Sequence, residues 1–391
     1  MDGETQAIEC REPGGSGSVS SRIREVSARD FRSYERAHLT LGDGLTVISG
    51  PNGAGKTNLL EAVYFGCTGR SCRASNEREV VRFGASSTRV VADVEAPDGE
   101  HQLAVGFAPG EPKRLLIDDA PVDSMLDSDV RPLLTVFLPE RLDLVKGPPA
   151  VRRSHLDQLV VGLWPARVQT RRAYAQALAQ RNALIARIRG YGGSHEGLAA
   201  WDLQLARHGI ALMADRSAAV DAVSEGFSEL AEALGLEAPV AVAYRPRSRA
   251  RSAQELADEL ATKTRSDLER GFTGHGPHRD ELSLLRDGRE LRTYGSQGQQ
   301  RLALLALLLA ERDAIGRLRG TLPVMLLDDV MSELDHSRRS ALSVRLRAGA
   351  GQAVVTSAES SHVPGADSSE VVAVTVSPGG TLTSAPSRED G

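Results

Sequence analysis

The segment Gly50-Pro51-Asn52-Gly53-Ala54-Gly55-Lys56-Thr57 satisfies G-x-x-x-x-G-K-[ST] at every fixed position. Glycines at these positions let backbone N–H groups turn inward around phosphate oxygens, and a helix starting behind them adds a favourable dipole. Lys56 is then placed to reach β- and γ-phosphates, and the Thr57 hydroxyl to ligate Mg²⁺. Only four residues of the chain are lysine (56, 113, 146 and 263), and one falls where a phosphate lysine is required. A second chemical signal is Val324-Met-Leu-Leu-Asp-Asp329, four apolar residues followed by two acids. It reads as a buried strand whose end presents carboxylates, Asp328 to the Mg²⁺ shell and Asp329 to an attacking water, since phosphoryl transfer needs positioning and charge neutralisation. A third is Ser296-Gln297-Gly298-Gln299-Gln300 before an apolar run: a hydroxyl, a glycine and a helix start that could meet a γ-phosphate or serve only as an N-cap.

These residues require elements to hold them. Leu45, Val47 and Ile48 end one of two strand-like stretches between Ile23 and Ser49, and Asn58–Cys67 carries Leu59, Leu60, Ala62, Val63 and Phe65 at helical spacing, so the glycine loop joins a strand to a helix. Short alternating runs at Val90–Val94, Leu103–Phe107 and Arg114–Ile117, separated by Pro/Gly turns, predict an antiparallel sheet. From about Arg167 to Arg189 and from Leu198 to Leu234, Ala, Leu, Arg, Gln and Glu dominate, which predicts two long helices around a break at Gly190–Gly193. A strand at Val240–Tyr244, helices at Gln254–Arg270 and Leu302–Ala310, and strands at Val324–Leu327 and Ala353–Thr356 complete the pattern. The fold class is α/β, with sheet-forming units at both ends of the chain and a helical insertion between them.

The 391 residues contain 47 Lys plus Arg against 52 Asp plus Glu, a formal net charge of −5, and 41% apolar residues, as in an ordinary soluble globular protein of two or three domains. Three cysteines, at 10, 67 and 72, form no disulfide framework or zinc spacing, and neither a signal peptide nor a run of 18 apolar residues is visible, so a cytoplasmic protein without membrane contact is expected. Residues 1–21 and the Pro/Gly/Ser-rich end, 379–391, read as disordered tails. His275 and His278, with Gly276 and Pro277 between them, read as loop residues rather than metal ligands.

The loop with Asn58 after it, the Ser296–Gln300 segment and Leu327-Asp-Asp-Val-Met-Ser-Glu-Leu-Asp335 together resemble ABC-type ATPases of the SMC-like DNA-repair group. Phe137-Leu-Pro-Glu-Arg-Leu-Asp-Leu-Val-Lys-Gly-Pro-Pro-Ala-Val-Arg-Arg153, Gly276-Pro-His-Arg-Asp280 and Asp30-Phe-Arg-Ser-Tyr34 narrow the resemblance to the RecF family, over about residues 22–378. It implies an ABC-type P-loop ATPase head in two parts, 22–140 and 265–378, with an antiparallel β subdomain and an inserted helical arm, 141–264. It further implies an ATP- and Mg²⁺-dependent homodimer on single- and double-stranded DNA that helps load recombinase together with RecO- and RecR-type proteins. On this resemblance Gly50–Asn58 bind nucleotide, Ser296, Gln297, Gly298 and Gln299 act in trans, and Ser332 and Asp335 form the dimer-interface D-loop. Slow hydrolysis would act as a release switch. The chain departs from ABC patterns at Ser357, where many have a switch histidine, at Asp329, where transporters have glutamate, and at His155, where the family motif has an aromatic residue.

Between Lys146 and Arg189 nine basic residues face a single acid, Asp157, so this stretch carries +8 and the remainder −13. Arg152, Arg153, Arg171, Arg172, Arg181, Arg187 and Arg189 are the candidates for phosphate contacts, with salt-dependent, largely sequence-independent binding expected. Arg152 and Arg153 are alternatively structural links between arm and head. Arg245, Arg247, Arg249 and Arg251 alternate at period two and, if extended, share one side. A transporter ATPase subunit is the competing reading. The 239 positions between Thr57 and Ser296, filled with helices, argue against it; a P-loop small-molecule kinase would need neither a trans signature nor a D-loop.

Overall fold

The computed structural model describes residues 21–384 except 75, 140–141, 193, 349–350 and 379. Of the tails read at 1–21 and 379–391, residues 1–20 and 385–391 lie outside the described residues. In chain order the elements are β1 (Arg22–Phe31), β2 (Tyr34–Thr40), β3 (Leu45–Ser49), α1 (Lys56–Thr68), β4 (Thr88–Ala96), β5 (Gly99–Phe107), β6 (Arg114–Ile117), β7 (Ala120–Pro121) and β8 (Leu134–Phe137). Then follow α2 (Asp143–Lys146), α3 (Pro149–Leu163), α4 (Val168–Tyr191), α5 (Glu196–Ala233), β9 (Val240–Arg245) and α6 (Ala253–Arg270). The chain closes with β10 (Glu281–Arg286), β11 (Arg289–Glu290), α7 (Leu291–Tyr294), α8 (Gln297–Arg319), β12 (Val324–Leu327), α9 (His336–Ala348), β13 (Ala353–Ser357), β14 (Val372–Val376) and β15 (Leu382–Ser384).

A central sheet runs β15-β14-β3-β13-β12-β8, parallel except for β15. Its central strands β3, β12 and β13 are buried along their whole length because both faces are covered. The period of two divides their side chains between two cores. Val324, Leu326, Val354 and Ile48 join α1 and the antiparallel sheet on one side. Met325, Leu327, Val355 and Val47 join α3, α5 and α8 on the other. The antiparallel sheet, ordered β2-β1-β4-β5-β6-β7, lays Ala28, Val90, Ala92 and Val105 toward α1. The sequence suggested two strands before the glycine loop. There are three, because Phe31 and Tyr34 close a tight β1–β2 hairpin.

The helix expected at Leu302–Ala310 extends over 23 residues as α8, apolar on all sides in its middle because sheet and arm sandwich it. α5, of 38 residues, packs on α4, α6 and β9 within the arm and on α8 beneath it, tying arm to head. The segment 379–391, read as a disordered tail, includes β15, whose Leu382–Ser384 pair with Val376–Val374 and cover the sheet edge. Among the described residues no helix is long and apolar enough to cross a membrane.

Candidate functional site

The carboxyl ends of β3, β12 and β13 converge, the place where open α/β sheets put their ligand sites. Gly50 leaves β3 so close to Val376 that a Cβ would stand 2.2 Å from its carbonyl oxygen, and its φ of +152° favours glycine. Gly55, at φ +109°, lies under Tyr34, whose hydroxyl would meet a Cβ at 2.5 Å. No side chain fits at either position, so the loop backbone is held close to the sheet end. Pro51, Asn52 and Gly53 form its exposed crest, Ala54 is buried, and α1 starts at Lys56, its amide dipole directed at the loop.

Lys56 Nζ donates to the carbonyls of Gly50 (2.7 Å) and Pro51 (3.0 Å). Burial pulls its pKa down, and Asp329 and Asp328 nearby pull it back up. The Thr57 hydroxyl donates to Asp328 Oδ1 at 2.9 Å and Oδ2 at 3.0 Å, and the Thr356 hydroxyl to Oδ1 at 2.6 Å. Burial pushes the Asp328 carboxyl above its ordinary range, against these two hydroxyls. Asp329, with φ +44° in the left-handed region, has its N–H on Thr356 Oγ1 at 2.9 Å. That backbone conformation is uncommon for a non-glycine residue and turns the end of β12 sharply. Asn58 lies one turn into the helix, its amide donating to Ser33 Oγ (2.9 Å) and accepting from Arg73 (3.1 Å).

Two participants, Thr356 and Arg73, had no motif to announce them, and a third, Tyr34, stood in the Asp30–Tyr34 stretch with no role assigned to it. Thr356 is the penultimate residue of β13, and its position beside Asp328 follows only from strand order. Arg73 lies close enough to lower the Asp328 pKa. The Tyr34 hydroxyl is buried against the loop without a hydrogen-bond partner among the described residues, and burial pushes its pKa up to about 12. At the switch-histidine position Ser357 is buried at 1% exposure, its hydroxyl also without a partner among the described residues.

Ser296 caps α8: its hydroxyl accepts from the Gln299 N–H at 3.3 Å while the Gln299 side chain accepts from the Ser296 N–H at 2.9 Å, a complete capping box. Ser296, Gln297 and Gly298 are exposed and Gln299 is half-buried. Ser332 and Asp335, after β12, are exposed as well.

The arm corrects part of the basic-face expectation. Arg181 is fully buried, its guanidinium bound to Asp202 (2.6 Å), Asp267 (2.7 Å) and the Thr273 hydroxyl (2.8 Å), so it holds α4, α5 and α6 together and presents nothing to solvent. Arg152, 3% exposed, makes a bidentate pair with Glu281 at 2.6 and 2.8 Å. Arg153 is half-buried and donates to the Asp280 carbonyl at 3.0 Å. All three serve as links within the fold. Arg171, Arg172, Arg187 and Arg189 are exposed along α4. Arg245 ends β9, and beyond it Arg247, Arg249 and Arg251 are exposed while Ser248 and Ala250 are buried, so the period of two persists outside the strand.

His155, in place of an aromatic residue, bonds Glu311 at 2.6 Å, and its pKa is raised despite burial, by that carboxylate. His278 accepts from or donates to Tyr174 (2.7 Å) and the Thr273 carbonyl (2.9 Å), and His275 pairs with Glu259 (2.6 Å). Among the described residues no cluster of three or more His, Cys, Asp or Glu could hold a metal ion.

Comparison with known proteins agrees with this geometry. Residues 25–102, which include the glycine loop and α1, match the AAA domain family. The DNA replication and repair protein RecF of Anaeromyxobacter sp. (strain Fw109-5) is 38% identical over 351 residues, covering 86% of this chain and 92% of that protein. This chain belongs to the RecF family. The RecF of Frankia alni (strain DSM 45986 / CECT 9034 / ACN14a) is likewise 38% identical, over 88% of this chain and 94% of its own. A solved RecF–ATP structure, described as the recombination mediator protein of the RecFOR pathway, superposes with a TM-score of 0.81 at 26% identity, over 96% of this chain and all of that one. The Smc head domain of Pyrococcus furiosus shares the fold at a TM-score of 0.60 and 16% identity. The fold is therefore the α/β ATPase head common to RecF and SMC proteins, with a helical arm short beside a coiled coil. Membership in this family replaces the transporter reading.

Proposed function

We propose that the chain is an ATP-dependent DNA-binding protein of recombinational repair and replication restart, in which bound ATP pairs two copies on DNA and slow hydrolysis releases them. The observation that carries this reading is the Thr57–Asp328–Asp329 corner at the end of β12, set against an exposed, fully capped Ser296 helix start whose hydrogen bonds stay within its own cap. The loop amides and Lys56 would hold the phosphates. A half-buried carboxylate flanked by two hydroxyls is an all-oxygen donor set of the kind Mg²⁺ prefers. Thr57 and Asp328 would hold Mg²⁺, which would supply charge neutralisation on the phosphate oxygens. Asp329, turned out of the strand by its left-handed backbone, would orient the attacking water. The N-terminus of α8, with Ser296 and Gly298, offers amides and a hydroxyl to the phosphates held by the other copy, and Ser332 and Asp335 would line the contact between copies.

DNA at gaps and single-strand/double-strand junctions, and mediator proteins of the RecO and RecR kind, are the expected partners in a cytoplasmic setting. Light scattering with ATP and Mg²⁺ tests the reading. The native chain is expected to double its mass with nucleotide, and Ser296→Arg to bind nucleotide normally yet remain a monomer. A native chain that stays monomeric with saturating ATP refutes the switch.

A further inference from the structure

The antiparallel sheet turns one face to α1 and the other to solvent, and its register aligns charge on the outer face. Arg29 of β1 is the partner of Arg36 on β2 and of Arg89 on β4; Arg89 is the partner of Gly106 on β5, and Gly106 of Arg114 on β6. Residues directly opposite in a sheet share a face. Arg36, Arg29, Arg89 and Arg114 therefore form one row across five strands, about 19 Å long at roughly 4.8 Å per strand. All four are exposed, whereas the neighbours of opposite parity, Ala28, Ala37, Val90 and Val105, are buried. At Gly106 an added Cβ would face the Arg114 Cβ at 3.7 Å, so the row continues through a position that contributes no side chain.

Like charges placed directly opposite in a sheet cost stability, and nothing on this face repays them. Arg29 has Asp30 at 3.7 Å, but that carboxylate is held by Arg82 at 2.7 Å. Among the described residues Arg36, Arg89 and Arg114 have no carboxylate within 4.0 Å. The acids on the same face lie further along their strands, Glu25 and Asp93 four residues away, about 13 Å, and Glu95 with its partner Glu100 six residues away, about 20 Å. There Glu25 meets His38 at 3.6 Å and Asp93 accepts from Gln102 at 2.9 Å. A row of guanidinium groups without carboxylate partners across one sheet face is complementary to a polyanion.

We propose that this outer face binds the sugar–phosphate backbone of duplex DNA, as a second contact besides the arm. This rests on the DNA-binding reading above. The row is long enough to reach phosphates on both sides of a major groove, about 12 Å wide. The next row of the face, His38, Ser27, Val91, Ala104 and Leu116, carries no Phe, Tyr or Trp on which unstacked bases would lie, and its imidazole is engaged with Ser27 at 3.0 Å, which favours duplex over single strand.

Fluorescence anisotropy of a mixed-sequence duplex with the full chain, ATP and Mg²⁺, between 50 and 200 mM salt, tests it. Arg29→Glu/Arg89→Glu is expected to weaken binding at least tenfold, equally for unrelated sequences, and to reduce the salt slope by roughly two. The milder Arg29→Gln/Arg89→Gln removes the same charges without adding acids and is expected to lose the same slope. Retained ATP binding in either pair shows that the head is intact. Unchanged duplex affinity and slope in the charge-removed pair overturn the surface while leaving the DNA-binding reading standing, as does a loss confined to single-stranded DNA. A native chain that binds no duplex at all overturns both.

Discussion

The Thr57 hydroxyl donates to both carboxylate oxygens of Asp328, at 2.9 and 3.0 Å, across 271 residues of sequence. The first turn of α1 and the end of β12 are thereby locked together, and Thr356 on the strand between β3 and β12 bonds the same carboxylate. Thr57, Asp328 and Thr356 thus form one rigid corner.

The roles in that corner separate by substitution. Lys56→Ala is expected to remove ATP binding, whereas Asp329→Asn is expected to bind ATP and form the dimer but to hydrolyse about 10²–10⁴-fold more slowly, the usual contribution of a positioned proton acceptor. Titration with a fluorescent ATP analogue and phosphate-release kinetics check both. An Asp329→Asn protein that turns over at the native rate contradicts the assignment.

Arg181 and Arg187 sit six residues apart on one helix and should behave as opposites. Arg181→Ala leaves Asp202 and Asp267 buried without their cation, an expected loss of about 3–5 kcal/mol. Arg187→Ala on the exposed side should stay within about 0.5 kcal/mol of the native chain. Urea denaturation followed by circular dichroism measures the contrast.

Binding to DNA should follow exposure. Arg172→Glu/Arg187→Glu is expected to weaken duplex binding several-fold and to flatten its salt dependence, with the thermal midpoint unchanged. Anisotropy and calorimetry together distinguish this from unfolding, and unchanged affinity would remove α4 from the interface.

His278 predicts an acid sensitivity. Burial pushes its pKa down from 6.5 to about 4, so the folded chain favours the neutral ring between Tyr174 and Thr273. Above about pH 6.5 the ring is neutral in both states and its contribution to stability is fully present. As pH falls from 6.5 towards 4 the unfolded chain takes up the proton first, and up to about 3 kcal/mol is lost. His278→Gln should flatten this part of the stability profile, measured by urea unfolding at pH 7.5 and pH 4.5.

Much of the site was legible along the chain because its chemistry is local. A phosphate loop needs its glycines, lysine and hydroxyl within eight residues, and a carboxylate-bearing strand end needs a short apolar run before two acids. Ser296 and Gln299 cap their helix within one turn, so that signal too was contiguous. The strands and helices around them were visible for the same reason, since periods of two and 3.6 are written in neighbouring residues.

The arginines show where this stops. Arg181 and Arg187 have the same residue type in the same helix, and charge counting weighed them equally. Six residues at 3.6 per turn put them on different faces, but which face was buried depended on Asp202 and Asp267, brought in by α5 and α6. Arg152 likewise became a link only through Glu281, 129 residues away. Conversely, Arg29, Arg36, Arg89 and Arg114 drew no notice, since each stands alone in its own strand. The sequence by itself determined the phosphate loop, the paired acids, the capped helix and the family. Tertiary structure alone decided which cations are spent inside the fold and which are lined up outside it, because burial and cross-strand register are set by partners remote along the chain.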